Sequence, residues 1–438
     1  YVLTKVAVTV YAGGLVFQQV FGIKELWGID FFWIAAIGLV VLTALYTIFG
    51  GMKSVLYTSV LQTPILLLGS LIILVLGFKE LGGWDEMMRV CGAVTVNDYG
   101  DTMTNLIRSN DDANFPWLGA LIGSAIIGFW YWCTDQFIVQ RVLSGKNEME
   151  ARRGTIFGAY LKLLPVFLFL IPGMIAFALH QKYIGAGGEG FLPMLENGTA
   201  NADAAFPTLV AKLLPAGVKG LVVCGILAAL MSSLASLFNS SAMLFTIDFY
   251  KRFRPQTSEK KLVGIGQVAT VVIVILGILW IPIMRSVGDV LYTYLQDVQS
   301  VLAPGIAAAF LLGICWKRTS AQGGMWGLIS GMVIGLTRLG AKVYYSNAGE
   351  VADSTFKYLF YDMNWLFFCG WMFLFCIIVV IVVSLATEAP TAEKIQGLVF
   401  GTATKEQKAA TRASWDHWDI IHTVIILAIT GAFYWYFW

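Results

Sequence analysis

Long apolar runs separated by polar connections make up most of the chain. A helix that crosses the hydrocarbon of a bilayer needs about 20 apolar residues, and about eleven runs reach that length. The runs lack the period of two that a membrane barrel requires, so they are predicted to be helices. The chain is therefore predicted to be an all-α integral membrane protein with spans near 3–22, 30–49, 55–77, 117–141, 155–179, 219–246, 263–284, 290–315, 324–344, 358–386 and 417–438.

The composition agrees with a protein whose solvent is the lipid bilayer. The 438 residues are 58% hydrophobic and 13% charged, whereas a soluble domain is about 25% charged. A net charge of +2, with lysine and arginine in short connections, argues against a nucleic-acid partner.

Basic residues occur in every second connection, and the positive-inside rule places these connections in the cytoplasm. The predicted location is the plasma (cell inner) membrane, as a multi-pass protein. The polar segment 387–416 is predicted to be a cytoplasmic linker before the last helix. The basic residues concerned are Lys53, Lys146, Arg152, Arg153, Lys251, Arg252, Arg254, Lys260, Lys261, Lys317 and Arg318.

The sequence has no pattern typical of catalysis or of a bound metal. Its six cysteines and three histidines are scattered, so no zinc or disulfide spacing appears. No HExxH, GxSxG or paired-acid arrangement lies within a span. The chain is predicted not to be an enzyme and to carry no cofactor.

Polar groups within the apolar runs are the candidates for function, because a charge in lipid is costly. Lys162 continues the stripe of Gly154 and Gly158, so its ammonium group is expected against a neighbouring helix. A solute or ion pathway is the functional interpretation, and a helix-end carbonyl partner or snorkelling is the structural alternative. The same spacing predicts a packing face at Gly327, Gly331 and Gly335.

Segment 130–136, Trp-Tyr-Trp-Cys-Thr-Asp-Gln, places aromatic rings beside an acid and an amide. A sugar has apolar faces ringed by hydroxyls, so its pocket combines rings with amides and a few charges. An interfacial aromatic belt is the alternative, although it accounts poorly for Asp135 and Gln136. Gln296 and Gln299 share one helical face and offer the same amide chemistry, or alternatively an interhelical hydrogen bond.

Ala229, Ser232 and Ser233 are spaced at i, i+3 and i+4, so one carbonyl and two hydroxyls can face one side of a helix. Several such oxygens together can bind dehydrated sodium. Serines are also common as small packing residues in membrane helices, so the spacing alone leaves both interpretations open.

Five motifs follow one another over nearly the whole chain: 45–51 (Leu-Tyr-Thr-Ile-Phe-Gly-Gly), 131–136 with 139–141, 160–163 (Tyr-Leu-Lys-Leu), 231–240 and 315–318 (Cys-Trp-Lys-Arg). Together they resemble the sodium/glucose cotransporters of the solute:sodium symporter superfamily. The resemblance implies a LeuT-type inverted-repeat helical bundle. It assigns 1–77 to the last part of the first repeat, 117–315 to the second repeat and 324–386 to additional helices. The first two core helices are expected to be absent.

The resemblance also implies roles in a sugar site. Tyr131 would close the site from the cytoplasm, with Trp132 beside it. Lys162 and Gln296 would hydrogen-bond a hexose, and Gln299 would line the same cavity.

A sodium site is implied on Ala229 (carbonyl), Ser232 and Ser233 (hydroxyls). Lys5 resembles an intramembrane lysine of the sugar-transporting branch. Ser59 stands where many relatives have an acid linked to a second sodium site or to the gate. One sodium ion per sugar is therefore expected.

The function implied is sodium-coupled import of a galactose-like or glucose-like hexose by alternating access, with Na⁺ as the coupling ion. Uptake of myo-inositol, a monocarboxylate or an amino acid is one alternative. A membrane sensor that binds sugar or sodium without transport is another.

Overall fold

The computed structural model describes residues 2–195, 198–285, 291–348 and 352–437, and these are mostly helical. The helices are α1 (Val2–Phe21), α2 (Phe31–Leu81), α3 (Trp84–Gly92), α4 (Trp117–Cys133), α5 (Gln136–Leu143), α6 (Glu148–Pro165), α7 (Ile171–Gly185), α8 (Ala205–Leu213), α9 (Ala216–Met243), α10 (Lys251–Phe253), α11 (Glu259–Arg285), α12 (Leu291–Cys315), α13 (Ala321–Asn347), α14 (Thr355–Lys357), α15 (Trp365–Ala386), α16 (Ala392–Ile395), α17 (Lys405–Ala413) and α18 (His417–Tyr436). Segments of π-helix lie at Val166–Leu170, Leu244–Tyr250 and Tyr358–Asp362, and a 3-10 turn lies at Ala202–Ala204. Two short strands, β1 (Glu25–Leu26) and β2 (Ile29–Asp30), pair antiparallel.

The apolar helices confirm a membrane protein, but not the predicted number of crossings. Among the described residues, eight helical stretches are long and apolar enough to cross a membrane, or nine if the bent pair α4 and α5 is one span. Helices α1 and α13 are not among them. Helix α1 contains Lys5, and α13 contains Arg338 and Lys342.

Helix α2 contains two of the eight candidate stretches, Phe31–Ile48 and Leu56–Leu81, which correspond to the spans predicted at 30–49 and 55–77, but no break in the helix separates them. It runs for 51 residues from Phe31 to Leu81 without a break, which corresponds to about 77 Å at 1.5 Å per residue. The expected connection contains Gly50 and Gly51. Glycine weakens a helix without necessarily ending it, which explains why the chain can stay helical there.

The three largest apolar clusters of the described residues hold much of the bundle together. The first joins α2, α7 and α9 around Ile175, and the second joins α1, α2, α9 and α11 around Phe238. The third joins α4, α12 and α15 around Trp130. The helices that carry the predicted sodium residues (α9) and amides (α12) are therefore packed inside the bundle.

The packing face predicted from glycines on α13 is confirmed. A Cβ atom at Gly331 would lie 3.0 Å from the Cα of Gly305 in α12. One at Gly335 would lie 2.6 Å from Val301 Cγ1 and 2.8 Å from the Val301 carbonyl oxygen. Because these glycines have no side chain, α12 and α13 approach each other backbone to backbone.

The corresponding expectation for α6 is wrong for its two glycines, whereas the Lys162 ammonium group does lie against a neighbouring helix, 5.6 Å from the ring centre of Trp132 in α4. A Cβ atom at Gly154 or Gly158 would meet no atom within 4 Å. Lys162 is exposed on the same helix. Among the described residues, the spacing of these two glycines therefore does not mark a close helix contact.

Gly335→Ala is expected to lower the melting temperature of the purified protein. The added methyl group has to displace the backbone of Val301, and overpacking of this kind costs about 1–3 kcal/mol. Gly340→Ala in the same helix is the matched control, since its Cβ meets nothing within 4 Å. That control should be neutral or slightly stabilising, because alanine favours a helix by about 1 kcal/mol. Equal melting temperatures for the two variants would contradict the close α12–α13 contact.

Candidate solute and cation site

The membrane helix that carries the aromatic motif is broken at its end. α4 ends at Cys133 and α5 begins at Gln136, with a bend of 46° between them. The Asp135 carboxylate caps α5 by accepting a hydrogen bond from Phe137 N at 3.2 Å. Thr134 Oγ1 donates to the Trp130 carbonyl oxygen at 2.7 Å. Irregular backbone at membrane depth is tolerated where it is buried in protein or lines a cavity, so this break marks a candidate site.

A buried ion pair joins α1 to this break. Lys5 Nζ lies 2.8 Å from Asp135 Oδ2, and the two side chains are 9% and 4% exposed. The ammonium group also lies 4.6 Å from the ring centres of Tyr131 and Phe137 and 5.6 Å from that of Trp130. A cation close to aromatic faces is attracted by their quadrupoles. Lys5 thereby holds both the acid and the rings around the break.

Three of the predicted sugar ligands lie together. The rings of Tyr131 and Trp132 meet edge to face with centroids 5.3 Å apart. Lys162 Nζ lies 5.6 Å from the ring centre of Trp132, which is 51% exposed. The grouping combines an aromatic surface with a cation, as a polyol pocket requires.

The two amides of α12 are not joined to that group. Gln296 Nε2 donates to the Tyr292 hydroxyl at 3.1 Å, and Gln299 is buried. Ala303, one turn beyond Gln299, packs in the same apolar cluster as Trp130 of α4. In the described chain, no hydrogen bond or ring contact connects either amide to the aromatic group. The structure thus brings α12 against α4 without gathering all five predicted ligands.

The predicted sodium residues lie on α9 and face an unexpected partner. Ser232 Oγ lies 2.6 Å from Ser59 Oγ of α2. Ser236 Oγ donates to the Ser232 carbonyl oxygen at 3.0 Å. Ala229 and Ser233 are half-buried on the same helix. Neutral hydroxyl and carbonyl oxygens are therefore concentrated around Ser232, which suits a monovalent cation.

Helix α5 connects this hydroxyl group to the break. Gln140 Nε2 donates to the Ser236 carbonyl oxygen at 3.1 Å, and Asn239 Nδ2 donates to Gln140 Oε1 at 3.1 Å. The Arg141 guanidinium donates to Ser236 Oγ. Sequence reasoning assigned no role to these residues or to the pairing of Lys5 with Asp135. The signals in the sequence were that Gln140, Arg141, Ser236 and Asn239 lie within recognised motifs and that Lys5 resembles an intramembrane lysine of the sugar-transporting branch.

A cavity of about 580 Å³ opens at a different place, beside α8 and the end of α1. Its lining includes Gln19, Glu189, Phe191, Thr208 and Lys212. None of the predicted sugar or sodium ligands lines it.

Comparison with known proteins identifies relatives over most of the chain. The model of the sodium:solute symporter family matches residues 1–331. Sodium/myo-inositol cotransporter 2 of Homo sapiens is 36% identical over 413 residues, which cover 92% of this chain and 60% of the relative. A sodium/mannose cotransporter of Bos taurus is 35% identical, covering 100% of this chain and 75% of the relative. Sodium/glucose cotransporter 4 of Mus musculus is 35% identical, covering 92% and 59%.

The fold has a counterpart among solved structures. A Na⁺-coupled sialic acid symporter in a substrate-bound outward-open state matches with a TM-score of 0.65 and 21% identity, covering 89% of this chain and 73% of the other. The chain spans 60% of the length of the myo-inositol cotransporters that it matches. The match in sequence and in helical arrangement confirms the predicted LeuT-type membrane bundle and the predicted family. The chain belongs to the sodium:solute symporter family.

Proposed function

We propose that this protein is a symporter of the plasma membrane that couples sodium entry to the import of a neutral hexose or related polyol by alternating access. The observation that carries the proposal is the hydrogen-bonded path from Ser232 through Ser236 to Arg141 on α5. Coupled transport requires that the ion site and the solute gate bias one another. This path joins the candidate sodium helix to the helix that follows the aromatic gate.

The chemistry of the aromatic group supports a neutral, hydroxyl-rich solute. Tyr131 and Trp132 offer ring faces, and Lys162 offers a hydrogen-bond donor. Relatives that are named for myo-inositol, mannose and glucose share this solute class. Gln296 and Gln299 are proposed to complete the site when α12 and α4 close on the solute.

Sodium is proposed to bind at the Ala229 carbonyl and the hydroxyls of Ser232 and Ser233. One charge that moves down about 100 mV supplies roughly 2.3 kcal/mol, enough for about fortyfold accumulation of a neutral sugar. The proposed organisation places 1–77 in the first repeat, 117–315 in the second repeat, additional helices in 324–386, a linker in 387–416 and a helix in 417–438.

The direct test is uptake by the full-length protein in proteoliposomes. Labelled glucose, galactose, mannose and myo-inositol are supplied with and without an inward sodium gradient. Gradient-dependent accumulation of at least one of them is expected. Binding without accumulation would favour a membrane sensor, and accumulation of only anionic solutes would contradict the proposed solute class.

Gln296→Ala is expected to raise the sugar concentration for half-maximal uptake by about two- to tenfold. Loss of one hydrogen bond to a neutral group costs about 0.5–1.5 kcal/mol. Gln322→Ala, an exposed position in the first turn of α13, is the matched control and should leave uptake unchanged. The same sugar dependence in both variants would remove Gln296 from the site.

A further inference from the structure

A second cluster of buried charges lies between α12 and α13, outside the site described above. Lys342 Nζ lies 2.6 Å from Asp297 Oδ2, and Arg338 Nη2 lies 3.5 Å from Asp297 Oδ1. Asp297 is 7% exposed and Arg338 is 0% exposed. One acid thus faces two bases within an apolar bundle. Charges are costly in such surroundings, so a charged cluster there is a candidate for function.

These charges continue the glycine contact between the same two helices. Gly331, Gly335, Arg338 and Lys342 follow one another at spacings of three or four residues, so they share one face of α13. On α12, the residues opposite are Asp297, Val301 and Gly305. The backbone contact therefore sets the distance between the helices, and the ion cluster lies at one end of the same contact.

Arg338 also ties this contact to the start of α15. Its Nη2 donates to the Met363 carbonyl oxygen at 2.8 Å, and its guanidinium carbon lies 4.1 Å from the ring centre of Phe368. A guanidinium with several fixed partners has little freedom to follow a moving neighbour. The base that faces Asp297 is therefore anchored to a third helix.

The position of Asp297 gives this anchor a functional consequence. Asp297 lies between Gln296 and Gln299 on α12, so any rotation of the helix moves all three side chains together. A side-chain tip about 6 Å from the helix axis moves by about 2 Å when the helix rotates by about 20°. A shift of that size breaks a hydrogen bond of about 3 Å.

We propose that Asp297 is a positioning residue, which holds α12 through Lys342 and Arg338 in the rotation that presents Gln296 and Gln299 to the solute. The proposal rests on the proposed function for the role of the two amides. Asp297 itself does not touch the solute. It acts by setting how well the amides are aligned for binding.

The first experiment separates recognition from folding in the full-length protein. Lys342→Met removes the closest partner of Asp297 and leaves Arg338 to balance its charge. The sugar concentration for half-maximal uptake should rise about three- to tenfold, a range typical of residues that act at a distance, while half-saturation by sodium stays within about twofold. A purely structural role would lower the amount of folded transporter and its maximal rate without changing the sugar concentration for half-maximal uptake, and that result would overturn the proposal.

Two further variants complete this test. The exchange Asp297→Lys with Lys342→Asp restores opposite charges at the same two positions and should bring the sugar dependence back to within about twofold of the parent. Asp353→Asn breaks the exposed pair of Asp353 with Lys357, 2.8 Å apart, and is the matched control that should change neither solute nor sodium dependence. An exchange variant that folds but stays as weak as Lys342→Met would contradict the charge-based anchor.

A second readout does not depend on transport. The exposed cysteines Cys133, Cys224 and Cys315 are first replaced by serine. Gln296→Cys is then introduced into that background. The rate of labelling by a water-soluble maleimide is then compared with and without Lys342→Met, and with the charge exchange if Lys342→Met does not fold. We expect Lys342→Met to change the rate at least threefold and the exchange to restore it. An unchanged rate would overturn the positioning role, whereas a lack of sodium-dependent uptake by the parent protein would overturn only the proposed function.

Discussion

The Asp135→Asn variant is expected to lose sodium-dependent uptake and to unfold at a lower temperature than the parent protein. It leaves Lys5, 9% exposed in its side chain, without its acid at 2.8 Å. Removal of one partner from a buried ion pair costs about 3–5 kcal/mol, because the remaining charge stays buried. Asparagine is as good an N-cap as aspartate, so the start of α5 is retained and the effect reports the charge. Uptake and melting temperature are measured on the same preparation.

The double variant Lys5→Met with Asp135→Asn tests whether the pair also has a role beyond stability. With both charges removed, no buried charge is left uncompensated, and most of the melting temperature should return. Uptake should remain impaired, because Tyr131, Trp130 and Phe137 have lost the cation that they surround. Glu86→Gln, which breaks an exposed pair with Arg89 at 2.7 Å, is the control and should change stability by less than about 1 kcal/mol. Full recovery of uptake in the double variant would limit the pair to a structural role.

Ser59→Asp is expected to change sodium coupling more than any neutral substitution around the site. The Ser59 hydroxyl lies 2.6 Å from that of Ser232, so a carboxylate here adds an anionic oxygen to a group of neutral ones. An opposite charge at about 4 Å is worth up to about 4 kcal/mol near a protein surface, of which dehydration removes a large part. The sodium concentration for half-maximal uptake should fall about tenfold and the dependence should become sigmoidal. If two ions are then coupled to each sugar, the voltage-driven accumulation limit rises from about fortyfold to above a thousandfold.

The matched control at this position is Ser59→Ala, which adds no charge and should keep the sodium dependence hyperbolic. A reversal-potential measurement gives the charge moved per sugar, expected to be one for the parent and two for Ser59→Asp. Two charges per sugar in the parent would refute the expected stoichiometry. A parent-like curve for Ser59→Asp would show that this position lies outside the range of the ion.

The break at residues 133–136 shows what local sequence patterns can and cannot predict. The sequence placed aromatic rings, Asp135 and Gln136 together within an apolar run and predicted a solute site in this segment. It did not identify Lys5 as the partner of Asp135, because 130 residues separate them and no periodic pattern relates two distant helices. The same holds for Ser59 and Ser232, 173 residues apart. Pairs of this kind depend on the depth and rotation of each helix within the bundle.

Hydropathy and helical spacing were thus sufficient to predict the all-helical membrane fold and the contact face of α13, since each depends on residues within a few turns of one another. The motifs were sufficient to identify the family. Only the tertiary structure decided that α2 continues through Gly51, that Gly154 and Gly158 meet no helix in the described chain, and that Asp297 faces Arg338 and Lys342. The physical reason is that sequence spacing shows which residues share a face of a helix, but not which neighbouring helix covers that face. Packing against particular neighbours determines which face is buried and which charges meet.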